Sequence, residues 1–299
     1  MSRYLSAGRT LGTTLAAELP VSDTASPPTH PERTLGRVEF TSLLAMSMAL
    51  SALGIDLMLP AFGDIRADLG LPADSTAVSG LVTAYFLGLA AGQLLYGPLA
   101  DRFGRRPTLY LGYAIYAGGA LFATFAPTLT LLLVSRFIWG LGAAGSRVVT
   151  LAVIRDAYDG ERMSRAMSFV MAVFLLVPVL APSLGAGIAA VGSWRWIFGT
   201  CVVAVAIMAV WSLRLPETLR EEHRRELRFD RLLEAARIVA SDRRTVSYSL
   251  AMTALYGVLT AYLGSSEIIF TEVFDAEDEF PVLFGALAAT MGVGMLANA

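Results

Sequence analysis

Two ionisable residues lie inside long apolar runs of this sequence of 299 residues. Asp56 belongs to the run 39–62, and Arg136 belongs to the run 128–152. Placing Asp or Arg at the centre of a membrane helix costs about 2.5–3.5 kcal/mol on insertion scales, so each such residue needs a reason. At 1.5 Å of rise per residue, Asp56 and Arg136 would lie at similar depths, roughly 9 Å and 13 Å below the outer surface. We therefore expect the two charges to be partners inside the membrane.

A buried carboxyl group beside a guanidinium is suited to taking up and releasing a proton. Burial disfavours the charged form of the carboxyl group, and a neighbouring cation favours it. A change of conformation, or a bound cation, then shifts the balance between the two forms. Pro60, four residues after Asp56, would loosen the helix and free a backbone carbonyl. Two plainer interpretations stay open: a carboxylate near the outer headgroups for Asp56, and a static ion pair for Arg136.

The elements that would position these residues are membrane-spanning helices. Hydrophobic residues make up 55% of the chain, charged residues only 16%, and the mean hydropathy is +0.60. Ordinary soluble domains contain about 25% charged residues. Eight apolar runs are each close to the ~20 residues that cross a bilayer as a helix, so the sequence predicts an all-α integral membrane protein. These runs, spans 1 to 8, are 39–62, 76–99, 108–126, 128–152, 164–191, 195–215, 245–270 and 281–299.

The distribution of arginine predicts the orientation of the spans. With the amino terminus in the cytoplasm, nineteen arginines fall in cytosolic segments, and only Arg66 and Arg195 fall outside. Cytosolic loops carry an excess of this kind. We therefore expect a multi-pass protein of the inner (plasma) membrane with a cytoplasmic amino terminus. The formal net charge of −2 gives no indication of nucleic-acid binding.

Composition divides the chain into four parts. Residues 1–37 are rich in Ser, Thr and Pro, which is typical of a disordered cytosolic tail. Residues 38–215 hold six spans and predict a six-helix bundle, and residues 245–299 hold two more. Between them, the charged segment 216–244 carries an apolar stripe, which predicts an amphipathic helix on the inner membrane surface. A solvated flexible linker is the alternative.

A short basic turn joins spans 2 and 3, with the sequence Gly97-Pro98-Leu99-Ala100-Asp101-Arg102-Phe103-Gly104-Arg105-Arg106-Pro107. Gly104 permits a sharp bend, and Pro107 suits the first turn of a helix. The pattern resembles the signature loop between spans 2 and 3 of the major facilitator superfamily of secondary transporters. The resemblance implies the major facilitator fold, here a six-helix N-terminal bundle plus the first two helices of the C-terminal bundle. Because members usually have twelve spans, we expect the chain to be a fragment.

Three further motifs resemble the bicyclomycin/chloramphenicol-resistance subfamily of drug:proton antiporters. They are Asp-Leu-Met-Leu-Pro in span 1, Arg-Phe-x-x-Gly-Leu-Gly-Ala-Ala in span 4 and Ile-Arg-Asp-Ala-Tyr at 154–158. The resemblance implies proton coupling at Asp56 and Arg136. Span 5 is similar to the antiporter signature through Pro178, Pro182, Gly185 and Gly187. It departs from the signature at Ala181 and Ala186, which replace glycines, and in span 4 Trp139 stands where relatives often have Gln.

Other side chains are candidates for gating and for contact with substrate. Arg155 and Asp156 would pair with Asp101 and Arg105 in a cytosolic latch that closes in one conformation, although a solvated surface network is an equal alternative. The complete latch set is Gly97, Asp101, Arg102, Gly104, Arg105, Arg106, Arg155 and Asp156.

Within the spans, four residues are candidates for a substrate cavity: Gln93, Tyr85, Tyr113 and Glu267. An acid at Glu267 would attract cationic substrates, or else lie at the outer interface. Gly140-Leu141-Gly142-Ala143-Ala144-Gly145 matches the dinucleotide fingerprint, but no strand precedes it. Small residues at that spacing instead let helices approach closely.

The predicted function is proton-coupled multidrug efflux, in which small lipophilic compounds are exchanged for protons by alternating access. The alternatives are an importer or facilitator of a small metabolite, and a fragment inactive in transport. No enzymatic activity, cofactor or metal site is predicted, because the spans hold no His and no cluster of metal ligands. The expected partners are a small-molecule substrate, protons and membrane lipids but no nucleic acid, and the chain is expected to be a monomer.

Overall fold

The computed structural model describes residues 35–72, 74–224, 234, 237–276 and 279–297. Nearly all of them are helical, and none of these residues forms a strand. Most of the predicted tail and the central part of the predicted linker helix, 225–233 and 235–236, lie outside the described residues. Of that linker, residues 237–241 are helical and the Ile238 and Val239 side chains are exposed.

Nine α-helices, in addition to the short described part of the linker helix, organise the described part of the chain. Span 1 is divided into two of them, joined by a turn and a short 3-10 helix, Leu59–Ala61. The nine are α1 (Arg37–Asp56), α2 (Phe62–Asp68), α3 (Gly80–Phe103), α4 (Arg105–Thr124), α5 (Leu129–Ala157), α6 (Gly160–Val191), α7 (Arg195–Trp211), α8 (Arg243–Ile268) and α9 (Phe280–Ala297).

Six helical segments of the described chain are long and apolar enough to cross a membrane. They correspond to predicted spans 1, 2, 4, 5, 6 and 7. Span 8 appears as the shorter apolar stretch Phe280–Gly294. Span 3 forms α4, which is not among the six and begins with Arg105 and Arg106. Helices therefore occur at all eight predicted positions. Two of them, α4 and α9, are not among the six that are long and apolar enough to cross a membrane.

Close approach between helices depends on the glycines of α5, which packs against both α3 and α4. A Cβ built on Gly140 would lie 2.0 Å from the Tyr85 carbonyl oxygen of α3. A Cβ on Gly142 would lie 2.2 Å from the Tyr116 backbone nitrogen of α4. Backbone atoms cannot move aside to make room for the added atom, as the end of a flexible side chain can. The glycine-rich stretch of span 4 is therefore a packing motif, as its position in a membrane helix predicted.

The two ends of the bundle are named by residues that lie there. The α2 end contains Asp68, and Arg195 of α7 contacts it at 2.5 Å. The Arg105 end contains the turn between α3 and α4.

At that end Asp242 caps α8: its carboxylate accepts hydrogen bonds from the backbone and hydroxyl of Thr245 and from the Arg244 backbone. These bonds, the Thr245 hydroxyl first, lower the pKa of Asp242, so the cap weakens when acid protonates it.

We predict that Gly140→Ala destabilises the helix bundle, because the added methyl group forces α3 and α5 apart. Overpacking of this kind typically costs about 1–3 kcal/mol. Gly118→Ala is the matched control, since a Cβ at the exposed Gly118 meets nothing within 4 Å. Thermal unfolding in detergent is expected to show a lower midpoint for Gly140→Ala only. Equal midpoints for the two variants would contradict the packing role.

Candidate functional site

The candidate site begins at the interruption of span 1. Pro60 has no N–H group, so it cannot donate to the carbonyl of Asp56 four residues earlier, and α1 ends at Asp56. The Leu57 N–H still donates to the Leu53 carbonyl as the last bond of the helix. The carbonyls that follow, beginning with Gly54, are therefore left without helical partners. The helix is interrupted as Pro60 predicted, and the Gly54 carbonyl lies at this interruption.

Asp56 occupies the last position of α1 and is buried, with 4% of its surface exposed. Among the residues that the structure describes, none forms a hydrogen bond or ion pair with its carboxyl group. A buried carboxyl group is normally paired or hydrogen-bonded when it is ionised. The surroundings of Asp56 in this conformation therefore suit its neutral, protonated form.

Arg136 is fully buried in α5 and reaches the same interruption. Its Nη1 donates to the Gly54 carbonyl at 2.7 Å, and its Nε donates to the Leu81 carbonyl at 3.4 Å. Its guanidinium carbon lies 4.5 Å from the ring centre of Tyr85 and 4.7 Å from that of Trp139. The second terminal nitrogen, Nη2, is buried without a hydrogen-bond partner in the described structure.

The expected ion pair between Asp56 and Arg136 is not formed in this conformation. Both residues do lie at the same level, because Arg136 binds Gly54, two residues before Asp56. The freed carbonyl of Gly54 takes the place that the carboxylate was expected to fill. The predicted partner of the guanidinium was the Asp56 carboxylate, whereas in the structure it binds the backbone.

Span 5 contacts the interruption through one of its signature glycines. A Cβ on Gly185 of α6 would lie 1.9 Å from the Leu57 carbonyl oxygen and 3.3 Å from Pro60 Cγ. Gly187 meets nothing within 4 Å. Pro178 and Pro182 both lie inside α6, which continues from Gly160 to Val191. Gly185 thus lets the backbone of span 5 pack directly against the turn that follows Asp56.

Three tyrosines fasten neighbouring helices to α1. The Tyr85 hydroxyl donates to the Ser51 carbonyl at 2.9 Å, and the Tyr116 hydroxyl donates to the Leu50 carbonyl at 3.0 Å. The Tyr113 hydroxyl lies 2.8 Å from Ser47 Oγ. All three rings are buried. Tyr85 and Tyr113, which were candidates for a substrate cavity, are therefore placed in the packing between helices in this conformation.

The other two cavity candidates have different surroundings. Gln93 is exposed on α3. Glu267 is buried near the end of α8, where both carboxylate oxygens accept hydrogen bonds from Arg66. A carboxylate paired in this way does not offer a free charge to a cationic substrate. A cleft of about 440 Å³ lies nearby, between α3 and α8, and its lining holds no charged side chain: Ser79, Thr83, Phe86, Leu87, Gly257, Thr260, Ala261, Gly264 and Ser265.

At the Arg105 end, one guanidinium joins two helices. Arg105 Nη1 donates to Asp101 at 2.6 Å, and its Nε donates to Asp156 at 2.8 Å. The turn between α3 and α4 is thereby tied to the end of α5. Arg155 does not join this network, because its Nε donates to the Leu151 carbonyl of its own helix.

Of the remaining latch residues, Gly104 has the most specific role. Its φ of 101° lies in the region that favours glycine, and an added Cβ would lie 2.5 Å from Glu217 Oε2. Arg102 is exposed beside Phe103, and Gly97 meets nothing within 4 Å of an added Cβ. Arg106 donates from its side chain to the Leu213 carbonyl at 3.0 Å.

Glu217 completes the turn and was missed by the sequence analysis. Its two carboxylate oxygens accept the backbone N–H groups of Arg105 at 2.8 Å and Arg106 at 3.0 Å, at the start of α4. A carboxylate is favourable there, because the first N–H groups of a helix lack partners and carry partial positive charge. The only sequence signal was an acid shortly after span 6, which does not reveal its target.

The fold and the site together define a class of protein. It is a helical membrane protein with several spans and a cleft between α3 and α8, and it has an ionisable residue, Asp56, buried where span 1 is interrupted. Secondary transporters are typically built in this way. The chain belongs to the Major Facilitator Superfamily, whose family model matches residues 44–299. The predicted all-α membrane fold of that family is thereby confirmed, as is multi-pass membrane insertion.

Individual relatives support the narrower resemblance. The chain is 29% identical to a bicyclomycin resistance protein homolog of Haemophilus influenzae, over 84% of this chain and 63% of the relative. It is 31% identical to the multidrug resistance protein MdtL of Shigella dysenteriae, over 81% of this chain and 60% of the relative. The chain thus spans less than two thirds of the length of these curated relatives.

A solved structure shows the same fold. The D-xylose-proton symporter superposes with a TM-score of 0.64 at 13% identity, over 84% of this chain and 66% of that one. At this identity the likeness concerns the fold alone.

We predict that Glu217→Gln weakens the Arg105 end. The amide has no negative charge to face the start of α4, and such an interaction is typically worth about 0.3–1 kcal/mol. Glu221→Gln, in the same segment but fully on the surface, is the matched control. The melting midpoint in detergent is expected to fall for Glu217→Gln and to stay unchanged for Glu221→Gln. If the two variants have the same melting midpoint, Glu217 does not act as a cap of α4.

Proposed function

We propose that the chain serves in proton-coupled efflux of small lipophilic compounds, as an antiporter of the inner (plasma) membrane. The observation that carries the proposal is the buried carboxyl group of Asp56 at the interruption of span 1, which has no hydrogen-bond partner among the described residues. An ionisable residue inside a membrane is costly and marks a functional site by default, and proton transfer is one of the functions that such residues serve. The resistance proteins named above, which are about 30% identical to this chain over the aligned part, support drugs as the cargo.

The geometry around Asp56 provides a way to couple a proton to movement. Arg136 holds the Gly54 carbonyl at 2.7 Å, so the end of α1 is fixed relative to α5 while Asp56 is without a charged partner. When Asp56 loses its proton, the carboxylate becomes a competing acceptor for the guanidinium. An exchange of the Gly54 carbonyl for the Asp56 carboxylate would then shift the interruption of span 1 against α5 and α6.

The contacts of α8 fit alternating access. Its buried residues are Leu263, Gly264, Ser266 and Glu267, all close to the α2 end, whereas residues 248–256 are exposed. Among the described residues, the buried contacts of this helix with α1–α7 are therefore concentrated at one end. The cleft between α3 and α8 has hydroxyl groups and apolar side chains in its wall, as expected for an uncharged or weakly polar compound. With the predicted orientation, the closed end faces outward and the open end faces the cytoplasm.

The proposal is tested with Asp56→Asn, which keeps the size of the side chain but cannot exchange a proton. Everted vesicles from a host without its own efflux pumps are loaded by an imposed pH gradient, and accumulation of chloramphenicol is followed. We expect accumulation above background with the unchanged protein and background alone with Asp56→Asn. Asp64→Asn, exposed in α2 just after span 1, is expected to behave as the unchanged protein.

Two results would refute the assignment. Accumulation driven by the pH gradient in Asp56→Asn would show that protons couple elsewhere. Accumulation that is insensitive to the gradient in every form would indicate facilitated diffusion rather than antiport. The assay is run with the chain of 299 residues and with any longer natural form, so that failure of the shorter chain to transport is recognised separately.

A further inference from the structure

A buried ion pair joins two parts of the chain that are 201 residues apart. Arg66 of α2 donates through Nη1 to Glu267 Oε2 at 3.0 Å and through Nη2 to Glu267 Oε1 at 2.6 Å. The exposed fractions of the two side chains are 9% and 5%. Two parallel bonds between a guanidinium and a carboxylate fix both distance and orientation. The pair connects the end of span 1 to the last turn of span 7.

A second contact lies beside this pair. The Ser79 hydroxyl, just before α3, donates to the Gly264 carbonyl of α8. A Cβ built on Gly264 would lie 3.3 Å from the Ser79 Cβ, so the two backbones are close. Leu263 and Ser266 are buried in the same region. The contact of α8 with the span 1 and span 2 helices is thus concentrated within one turn of Glu267.

The energetics of the pair make it suitable for holding this end closed. Removing one partner of a buried pair leaves the other charge unpaired, which typically costs about 3–5 kcal/mol. Moving α8 away does not leave a buried charge without a partner, since both charges then regain water together. The closed arrangement is therefore stable while both partners are present and strongly unfavourable when only one remains.

We propose that Arg66 and Glu267 form an electrostatic latch that closes the α2 end between the first six spans and span 7. The latch opens when α8 leaves α2, and it must reform for this end to close again. Glu267 is then a gating residue rather than a contact for cationic substrates. This role is independent of which compound is carried and of how protons are coupled.

The test uses a disulfide as the reporter of closure. In a background with Cys201, the single cysteine, replaced by alanine, Ser79→Cys and Gly264→Cys place two thiols across the closed end. A disulfide needs a Cβ–Cβ separation of about 3.5–4.5 Å, and a small adjustment of the two backbones brings the cysteines into that range. A protease site inserted after residue 224 lets the bond be scored, because cleaved halves stay together on a non-reducing gel only when it has formed.

The latch variants are then compared under one brief oxidation. Glu267→Gln is expected to lower the cross-linked fraction at least about threefold, because Arg66 is left unpaired in the closed form. The double variant Arg66→Met/Glu267→Met is expected to cross-link more than Glu267→Gln, since neither charge remains. Asp68→Asn removes the partner of Arg195 at the same end and is expected to change nothing.

Two results would overturn the latch. One is a cross-linked fraction in Glu267→Gln equal to that of the parent, and the other is a double variant that cross-links no better than Glu267→Gln. Each variant is first checked for a single symmetric peak in size-exclusion chromatography. Should Glu267→Gln fail to fold, Glu267→Asp replaces it. It keeps the charge but shortens its reach, and is expected to lower the fraction in the same direction.

Discussion

The hydrogen bond from Arg136 to the Gly54 carbonyl is the interaction on which the rest of this site depends. A backbone carbonyl in hydrocarbon has no water to bind, so a helix that stops inside the membrane must find donors from elsewhere in the protein. The guanidinium supplies one at 2.7 Å. Its charge is in turn stabilised by the faces of Tyr85 and Trp139. The interrupted span 1 and the buried Arg136 of span 4 therefore stabilise each other, because the carbonyl gains a donor and the guanidinium gains an acceptor.

Asp56 has no hydrogen-bond partner among the described residues, although it lies two residues from the Gly54 carbonyl that Arg136 binds. Arg136 Nη1 donates to that backbone carbonyl rather than to the carboxyl group, and Nη2 has no partner in the described structure. Around Asp56, packing is tight: Gly185 places the α6 backbone against Leu57, and Tyr85 is bonded to Ser51. A change in the charge of Asp56 would be transmitted most directly through the helix end to which it belongs.

Much of the fold was predictable from the sequence, because apolar runs, arginine counts and the basic turn are local signals. Asp56, Arg136, Pro60 and Gly104 were identified in that way. Contacts between distant residues were not predictable. Arg66 was read only as an external arginine, Glu267 as a cavity acid or an acid at the outer interface, and Glu217 was overlooked. A sequence shows which groups need partners, but when several acceptors lie at one depth, packing decides among them. The Gly54 carbonyl was such an acceptor, and it appeared only once α1 had ended.

The two ends of the bundle are held by different kinds of contact, and this difference has a consequence for movement. At the Arg105 end, Arg105, Asp101, Asp156 and Glu217 all belong to the segment before residue 224, so their bonds stiffen the first six spans internally. At the α2 end, the bonds of Glu267 cross from that segment to α8. Breaking the first set loosens a bundle, whereas the second set is among the contacts that must part before α8 can move away from the first six spans. A helix group that rocks as one unit needs the former to persist while the latter is made and broken. The buried Arg66–Glu267 pair, which is strong when complete and unfavourable when half complete, gives such a movement two defined states rather than a continuum.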